Sequence, residues 1–460
     1  MANAPGTSDD FRSVMASVDT HGRRHWLHVH LIMGAWRLRR ILLAVFLIGF
    51  YLALPYLSVG GRPALLLNIP KRQFTVAGQV FWPQDFWYLL IFVLIFVVGT
   101  ALLVALVGRF FCGWLCPHNV FLETIYRPLE RLFEGAAVKR LNRARGKIGG
   151  SWRKLFSWTG YILVSALLAA TATMLFTGPQ AFSYGIILDV VDYPSAAIFY
   201  GISFGLIMFN FAWFREQTCT IVCPYGRLQS AMLDPESLVV AYDVKRGEPR
   251  GKPGEVTGDC VDCGLCVTVC PTGIDIRNGN QMECIHCTAC IDACNTVMTK
   301  LDRPINLIGF SSEAEMGGGK RRIIRPRTII YTVVLAILIG VFAWRIAART
   351  NIQAVVLRPD NLPVATTVDD KPVIRQWVKL SLINRTGEAR SATLHLPDKL
   401  GCTITLQPTT IELPPNKKVE VQAAIDVPVT SFTAATCPTV LTVREANGDE
   451  QQVELDLRKP

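Results

Sequence analysis

Residues 260–294 read Cys260-Val-Asp-Cys263-Gly-Leu-Cys266-Val-Thr-Val-Cys270-Pro271 and then, after a short interval, Cys284-Ile-His-Cys287-Thr-Ala-Cys290-Ile-Asp-Ala-Cys294. Both runs have the spacing CxxCxxCxxxC, and the first carries the Pro that follows the fourth Cys in the bacterial form of this motif. In a doubled run, the first three thiolates of each copy wrap one cubane cluster, and the fourth reaches the cluster of the other copy. The spacing therefore predicts two [4Fe–4S] clusters.

The crossed pattern divides the eight Cys into two ligand sets. One predicted cluster takes Cys260, Cys263, Cys266 and Cys294, and the other takes Cys284, Cys287, Cys290 and Cys270. Structural zinc or disulfides are the alternatives, but neither accounts for eight Cys in this doubled register. Asn295 follows Cys294 where a second Pro would be usual, which affects the local turn and leaves the ligand set intact. The segment is predicted to be an inserted, bacterial-type 2[4Fe–4S] ferredoxin domain.

The rest of the chain is unusually apolar. Half of its 460 residues are hydrophobic, and the mean hydropathy of +0.31 is high for a soluble protein of this length. A membrane span needs about 20 apolar residues. Five uncharged runs approach that length, the third supplying a span from its first part: Ile41–Val59, Phe86–Val107, Leu155–Leu188, Tyr193–Phe214 and Thr328–Trp344. We expect a polytopic α-helical membrane domain of five spans. Its first span is uncleaved, because residues 1–20 are polar and do not resemble a signal peptide.

The positive charges predict the orientation of these spans. Lys and Arg are concentrated before the first run, in the 109–154 loop and just before the fifth run, whereas the loop after the third run has none. Lys and Arg accumulate in cytoplasmic loops. We therefore expect a multi-pass protein of the bacterial inner membrane, with its N-terminus and ferredoxin domain cytoplasmic and its C-terminal domain periplasmic. The net charge of +11 is attributed to this topology, and no nucleic-acid partner is expected.

The second and fourth runs end in the same motif. The two copies are Phe110-Phe-Cys112-Gly-Trp-Leu-Cys116-Pro117-His118 and Thr218-Cys219-Thr-Ile-Val-Cys223-Pro224-Tyr-Gly-Arg227. A gap of three residues predicts that both sulfurs of a pair share one helix face. Pro cannot extend the preceding helix but suits the first position of a new one, so an amphipathic stretch is expected after each copy, at Val120–Phe133 and Leu228–Leu238.

The repeat predicts that both Cys pairs lie at the same depth, near the inner face of the membrane. Cys112, Cys116, Cys219 and Cys223 could therefore converge on one site, which we call the cysteine quartet. Thiolates select Cu(I), zinc or iron–sulfur clusters, and Cys116 and Cys223 are expected at helix N-termini, which favour the thiolate. We interpret the quartet as a redox or copper site. A structural metal clip, or inert buried thiols, is the alternative.

Four of the seven His form a tract before the first run. A His-rich tract can bind metal. The preferred interpretation is a basic interfacial segment anchored by Trp26 and Trp36, because no Cys or carboxylate completes a ligand set. The tract consists of His21, His25, His28 and His30.

Beyond residue 350 the pattern alternates with period two. Turn signals such as Asn384-Arg-Thr-Gly387 and Asn447-Gly448 separate the runs, and this spacing predicts an antiparallel immunoglobulin-like β-sandwich. The candidate strands are Val378–Ile383, Ala392–Leu396, Cys402–Leu406, Val419–Ile425, Thr439–Val443 and Gln452–Leu457. Cys402 and Cys437 lie in this exported domain, where a disulfide can persist, although two free thiols are the alternative.

These features give five predicted parts. They are a cytoplasmic tail (1–40), four transmembrane helices with both CxxxCP motifs (41–214), the ferredoxin domain with its linkers (215–327), the fifth helix (328–347) and the periplasmic domain (351–460).

The combination resembles the cytochrome c oxidase accessory protein family, called FixG, RdxA or CcoG. The resemblance covers nearly all of the chain after residue 35, and its motifs are both CxxxCP ends, Arg246-Gly-Glu-Pro-Arg-Gly251, Gly258-Asp-Cys-Val-Asp-Cys263, Cys270-Pro-Thr-Gly-Ile-Asp-Ile-Arg277, Gln281-Met-Glu-Cys-Ile-His-Cys287 and Ile291-Asp-Ala-Cys294. It implies an electron-transferring cupric reductase that supplies Cu(I) for assembly of cbb3-type cytochrome oxidase. The ferredoxin Cys then hold the clusters, and the quartet is the candidate copper site. Oxidase assembly factors or copper chaperones are the implied partners.

Two other functions fit the same motifs. The polyferredoxins of nitrate and nitrous oxide respiration share the CxxxCP spans, which would make the chain a quinol-oxidising relay to a periplasmic reductase. A non-catalytic scaffold for oxidase assembly is the third possibility. The sequence contains no nicotinamide or flavin fingerprint, so the electron donor is unknown.

Overall fold

A computed structural model describes residue 24 and residues 26–69, 72–146, 151–183, 194–251, 258–320, 322–357, 363–368, 371–395, 403–405, 410–415, 417–429, 436–445 and 450–458. The chain divides into two compact units. The first contains residues 1–71 and 86–340, and the second contains residues 72–85 and 341–460.

Helices account for most of the first unit. In chain order they are α1 (Ala35–Ala53), α2 (Phe86–Val107), α3 (Phe110–Trp114), α4 (Pro117–Phe121), α5 (Arg127–Glu134), α6 (Ala137–Ala144), α7 (Ser151–Thr177), α8 (Pro179–Phe182), α9 (Pro194–Met208), α10 (Pro224–Met232), α11 (Val244–Gly247), α12 (Leu265–Thr268), α13 (Ala289–Lys300), α14 (Glu313–Met316) and α15 (Pro326–Ala347). Wider π-helical turns follow or link some of them, at Leu122–Tyr126, Phe209–Phe214 and Thr218–Val222.

Within the described part of the chain, five helices are long and apolar enough to cross a membrane, as the sequence predicted. They are Ala35–Tyr56, Phe86–Val107, Trp152–Thr177, Pro194–Phe214 and Pro326–Ala347. The first begins six residues earlier than predicted, so that Arg37, Arg39 and Arg40 lie in its first turns. The end of the third predicted run, residues 184–188, lies outside the described residues.

Short strands accompany these helices. A small hairpin pairs β1 (Ser58–Val59) with β2 (Arg62–Pro63), and β3 (Leu65–Asn68) follows. The ferredoxin segment is flanked by an antiparallel pair, β6 (Val239–Tyr242) and β7 (Ile308–Ser311), whose register places Val239 opposite Ser311. Cys260, Cys266, Cys284 and Cys290 are buried against aliphatic residues of this sheet and of α13. The predicted helix Leu228–Leu238 ends early, at Met232.

The ferredoxin segment packs directly on the first spanning helix. Asp292 of α13 accepts hydrogen bonds from the backbone N–H groups of Trp36 (3.2 Å) and Arg37 (2.7 Å), and so caps the N-terminus of α1. Gly34 precedes this helix, and a Cβ there would overlap the Asp292 carboxyl. The ferredoxin segment and the helices up to residue 340 belong to one compact unit.

The second unit contains two antiparallel sheets. Its strands are β4 (Gln73–Val76), β5 (Gln79–Phe81), β8 (Ile352–Leu357), β9 (Val364–Val368), β10 (Lys371–Asn384), β11 (Arg390–His395), β12 (Thr403–Thr405), β13 (Thr410–Leu413), β14 (Lys418–Pro428), β15 (Thr436–Glu445) and β16 (Glu450–Arg458). One sheet has the order β12-β14-β10-β8 with β9 beside β10, and the other has β13-β11-β15-β16. Inward-facing Leu, Ile and Val side chains form the core between them, as in an immunoglobulin-like sandwich.

Two features of this unit were not predicted. The strands β8, β9 and β13 have no counterpart among the candidates. The β4–β5 hairpin, which precedes the second spanning helix, also belongs to this unit, and Asp85 after it is paired with Arg349 (2.9 Å) and Arg385. The predicted Cys402–Cys437 disulfide lies outside the described residues, because Cys402 and the Cys437 side chain do.

Candidate functional site

Two cavities in the ferredoxin segment gather the two sets of Cys that the sequence predicts. The first, called site I, is lined by Cys260, Cys263, Cys266 and Cys294. The second, called site II, is lined by Cys270, Cys284, Cys287 and Cys290, with Cys266 at its edge. The last Cys of each run thus lies at the site of the other run.

The two Cys runs have the same backbone path. Asp262 and His286, which precede the second Cys of their runs, have positive φ values of 51° and 52°. Gly264 and Thr288, which follow that Cys, have φ values of 64° and 65°. A positive φ is common for Gly and uncommon for other residues, so the shared left-handed positions reflect a specific wrapping of the chain around each cavity. Four thiols on such a loop, with apolar walls, fit a [4Fe–4S] cluster at each site.

The two sites differ in exposure. Cys263 at site I is exposed, whereas Cys284, Cys287 and Cys290 at site II are buried. Site I is therefore the one that solvent or a redox partner can approach. Site II is enclosed by the first unit.

The two CxxxCP ends also share one backbone geometry. Four residues before the first Cys of each motif, Gly108 and Arg215 have φ values of 60° and 52°. In each copy the backbone N–H of the second Cys bonds a carbonyl five residues earlier, Cys116 to Phe111 and Cys223 to Thr218, both at 2.8 Å. These bonds make the turn before each Pro wider than a regular α-helical turn.

Pro begins a new helix in both copies, as predicted. Cys116 is the N-cap of α4 and Cys223 is the N-cap of α10, and each precedes Pro at the first helical position.

The two ends meet. The Cys219 thiol lies within electrostatic reach of the thiols of Cys112, Cys116 and Cys223. The Asn119 Nδ2 group donates to the Cys112 carbonyl at 2.6 Å and contacts the Cys219 sulfur at 3.7 Å. In the other direction, the Cys112 thiol donates to Gln229 Oε1 at 2.9 Å. Each repeat therefore supplies an amide side chain to a Cys of the other repeat.

Sequence reasoning missed Asn119 and Gln229. Both are almost fully buried, at 5% and 0% exposure. Asn119 lies in the helix that follows the first CxxxCP motif and Gln229 in the helix that follows the second. A polar residue on the buried face of such a helix was the signal that could have indicated them.

The thiols of Cys112, Cys116 and Cys219 are harder to ionise than the sequence suggested. Burial raises the pKa of Cys112 and Cys116, and raises the pKa of Cys219 to about 12. The N–H groups of Asn119 and His118, at the start of α4, do act to lower the pKa of Cys116. The expectation that helix N-termini produce thiolates was therefore wrong for Cys116, because loss of water outweighs this effect.

The spacing of the thiols limits how a metal can bind. Among the described residues, no three His, Cys, Asp or Glu side chains are arranged to hold a single metal ion. The cavity-lining Cys of sites I and II are likewise too far apart for one ion, and they suit a four-iron cube with one thiolate at each corner. At the quartet, one ion would be bound by fewer than three of the thiols in this arrangement.

The quartet touches site II. Cys112, Ile285 and Cys287 belong to one buried cluster. A Cβ on Gly113 would lie 2.5 Å from the Ile285 carbonyl oxygen and 3.0 Å from Cys287 Cα. The contact is reinforced by hydrogen bonds, because the Arg109 N–H donates to His286 Nδ1 (3.1 Å) and Trp114 Nε1 donates to the His286 carbonyl (3.2 Å).

The His tract is only partly described. His21 and His25 lie outside the described residues, and His28 and His30 are half-buried. The His30 backbone N–H donates to the Thr268 carbonyl of the ferredoxin segment at 2.9 Å. Trp26 stacks on the Arg24 guanidinium, which is 3.7 Å from its ring centre.

Family models match three parts of the chain. Residues 214–313 match a 4Fe-4S dicluster domain, residues 89–135 match a 4Fe-4S binding domain, and residues 342–458 match the IG-like fold at the C-terminal of FixG. The 89–135 segment contains only two of the Cys, Cys112 and Cys116.

Full-length relatives match as well. The chain is 32% identical to the protein RdxA of Cereibacter sphaeroides, over 93% of this chain and 91% of RdxA. It is 31% identical to RdxB of the same organism, over 80% of this chain and 82% of RdxB. It is 29% identical to the nitrogen fixation protein FixG of Rhizobium meliloti, over 87% of this chain and 86% of FixG.

Proposed function

This chain belongs to the FixG and RdxA family of iron–sulfur electron-transfer proteins, and on that premise we propose that it reduces Cu(II) to Cu(I) for assembly of a cbb3-type cytochrome c oxidase. The observation that carries the proposal is the contact between the cysteine quartet and site II. A site that prefers Cu(I), placed against an electron carrier, has what a copper reductase needs.

The ferredoxin segment is the proposed electron carrier. Site I (Cys260, Cys263, Cys266 and Cys294) and site II (Cys284, Cys287, Cys290 and Cys270) each hold one [4Fe–4S] cluster, which supplies single electrons when bound. The backbone encloses site II and leaves Cys263 of site I exposed. An external donor therefore meets the protein at site I.

Copper is the proposed substrate of the quartet. Two thiols that lose their protons and two electrons form a disulfide, and these electrons reduce two Cu(II) ions to two Cu(I) ions. Two electrons from the ferredoxin segment and two protons then restore the thiols. Gln229 and Asn119 hold Cys112 and Cys219 in place through this cycle.

The orientation assigned from positive charge indicates on which side of the membrane the reaction takes place. The quartet and both cluster sites face the cytoplasm of a bacterial inner membrane, and the sandwich faces the periplasm. Cu(I) formed at the quartet passes to copper chaperones or oxidase assembly factors.

Copper reduction by the purified, cluster-reconstituted chain tests the proposal. A chemical reductant loads the protein, Cu(II) is added, and a Cu(I)-specific chelator reports the product against a protein-free control. We expect Cu(I) formation that depends on the protein. Electron transfer from quinol with no copper activity would instead make the chain a quinol-oxidising relay. If the chain has neither activity, a non-catalytic scaffold is the remaining function.

A further inference from the structure

Three arginines from the membrane part of the first unit bind the backbone around site II. Arg40 Nη1 donates to the Cys287 carbonyl at 3.0 Å, and Arg127 Nη2 donates to the Pro271 carbonyl at 3.0 Å. Arg109 Nη1 donates to the Met282 carbonyl. We call these three residues the arginine collar. Each contacts a residue that either ligates the proposed site II cluster or lies within two positions of a ligand.

The collar carries more positive charge than its partners neutralise. Glu123 pairs with both Arg40 (3.3 Å) and Arg127, and Glu216 lies 3.6 Å from Arg127. Glu216 is shared with Arg24 at 3.1 Å. Asp292, a further carboxylate near site II, caps helix α1. Arg24, Arg40 and Arg127 thus share two glutamates, whereas the Arg109 guanidinium donates to the Met282 carbonyl.

These charges are removed from water. The exposed fraction is 2% for the Arg127 side chain, 7% for that of Glu123 and 3% for that of Glu216, and Arg109 is exposed by only 2%. Water screens buried charges poorly, so their effect on a nearby site is large. Arg40 is the least buried member of the collar, with 12% of its side chain exposed, and water therefore screens the collar's charges only weakly at site II.

Site I has a different electrostatic environment. Among the described residues around it, four arginines face four carboxylates, namely Arg246, Arg250, Arg277 and Arg303 against Glu248, Asp259, Asp262 and Asp275. Several of these side chains are accessible to water, up to 62% for Asp262. The charges balance and are screened, so they exert little net effect on site I.

A cluster ligated by four thiolates becomes more negative when it is reduced. Burial opposes this change, whereas positive charge and hydrogen bonds favour it. Site II is the more buried of the two, and without compensation its cluster would be the harder to reduce. We propose that the arginine collar raises the reduction potential of the site II cluster, so that electrons collect at site II, beside the quartet. This inference rests on the proposed assignment of two clusters.

A redox titration of the purified full-length protein, followed by electron paramagnetic resonance, measures both midpoint potentials. Replacing Arg40 by Gln should make reduction of one cluster roughly tenfold less favourable, a downward shift of about 59 mV for a one-electron couple, and leave the other unchanged. Arg40→Lys keeps the charge and should stay near the wild-type value. Arg277→Gln, at site I, is the matched control and should shift the other midpoint.

A second substitution should shift the same midpoint potential in the opposite direction. Glu123→Gln removes the carboxylate shared by Arg40 and Arg127, and should raise the midpoint that Arg40→Gln lowers. If the Arg40→Gln protein loses iron, the midpoint potential of the Glu123→Gln protein decides the question instead. Wild-type midpoints in iron-replete Arg40→Gln or Glu123→Gln, or a shift of the same midpoint by Arg277→Gln, would overturn the inference. Wild-type protein without iron would instead refute the cluster assignment itself.

Discussion

The ferredoxin segment and the cysteine quartet both gather thiols, but they do so over different distances in the chain. The eight Cys of the first lie within residues 260–294, and short loops bring them together. The quartet joins residues 112–116 to residues 219–223, which the chain connects through two spanning helices. Local spacing alone is enough to specify the first site, whereas the second depends on the repeat and on helix packing.

The sharpest way to separate the two regions is to remove a ligand of site II. Cys290 is buried there, and Cys290→Ser should cost about half of the expected eight iron atoms per chain. It should also abolish copper reduction, because the electron carrier beside the quartet is lost. Iron analysis and the chelator assay measure the two effects. Full iron content in this variant would mean that Cys290 is not a cluster ligand.

A second substitution disturbs the contact between the regions. A Cβ on Gly113 would press on Ile285 and Cys287, so Gly113→Ala should destabilise the unit by about 1–3 kcal/mol and reduce copper turnover several-fold. Gly201→Ala is the matched control, because a Cβ at that helical Gly meets nothing within 4 Å. Thermal unfolding and turnover check both. Equal behaviour of the two variants would show that this contact does not matter.

Gln229 tests the links across the quartet. Gln229→Leu removes the acceptor of the Cys112 thiol, and loss of such a supporting partner typically weakens metal binding 10- to 100-fold. Ser230→Ala, one residue further along the same helix, removes bonds to the Gly226 and Met282 carbonyls but no bond to a Cys of the quartet, and should have little effect. Competition with a Cu(I) chelator measures the affinity. Unchanged Cu(I) affinity in Gln229→Leu would show that the link is only structural.

A further expected effect is a dependence of Cu(I) affinity on pH. Burial raises the pKa values of Cys112, Cys116 and Cys219, so these thiols are protonated near neutral pH and must release a proton to bind copper. Cu(I) affinity should therefore rise with pH between pH 6 and 8, by up to about tenfold per pH unit for each thiol that binds. Affinity that is flat over this range would mean that the thiols are already ionised.

The fold was predictable wherever one periodicity dominates. The five spans and the alternating strands of the sandwich follow from hydropathy. The helices that begin at Pro117 and Pro224 follow from the preference of Pro for the first position of a helix. The strands β8, β9 and β13 were missed because they lie outside the runs that the recognised turn signals bound. The first of them, β8 (Ile352–Leu357), is nevertheless buried at alternate positions at its start. The wide turns before Cys116 and Cys223 were also missed, since a three-residue gap looks the same in a regular helix.

The Cys residues of the candidate site could be predicted from the sequence, but the residues around them could not. Spacing indicated the Cys, but the positions of Asn119, Gln229 and the arginine collar depend on contacts between segments distant in sequence. Arginines 109, 127 and 140 were interpreted as a sign of topology. In the structure they are buried, and each bonds a glutamate or a backbone carbonyl. Charge counting along a loop cannot distinguish a solvated arginine from a buried one.

The most direct test of the copper proposal replaces one Cys in each half of the quartet. We expect Cys116→Ser and Cys223→Ser each to abolish Cu(II) reduction while the iron content stays at the wild-type value, about eight atoms per chain. Unchanged reduction in both variants would show that the pairs are structural and that copper is reduced elsewhere. A loss of iron in either would contradict the proposal in another way, because the quartet would then hold a cluster of its own.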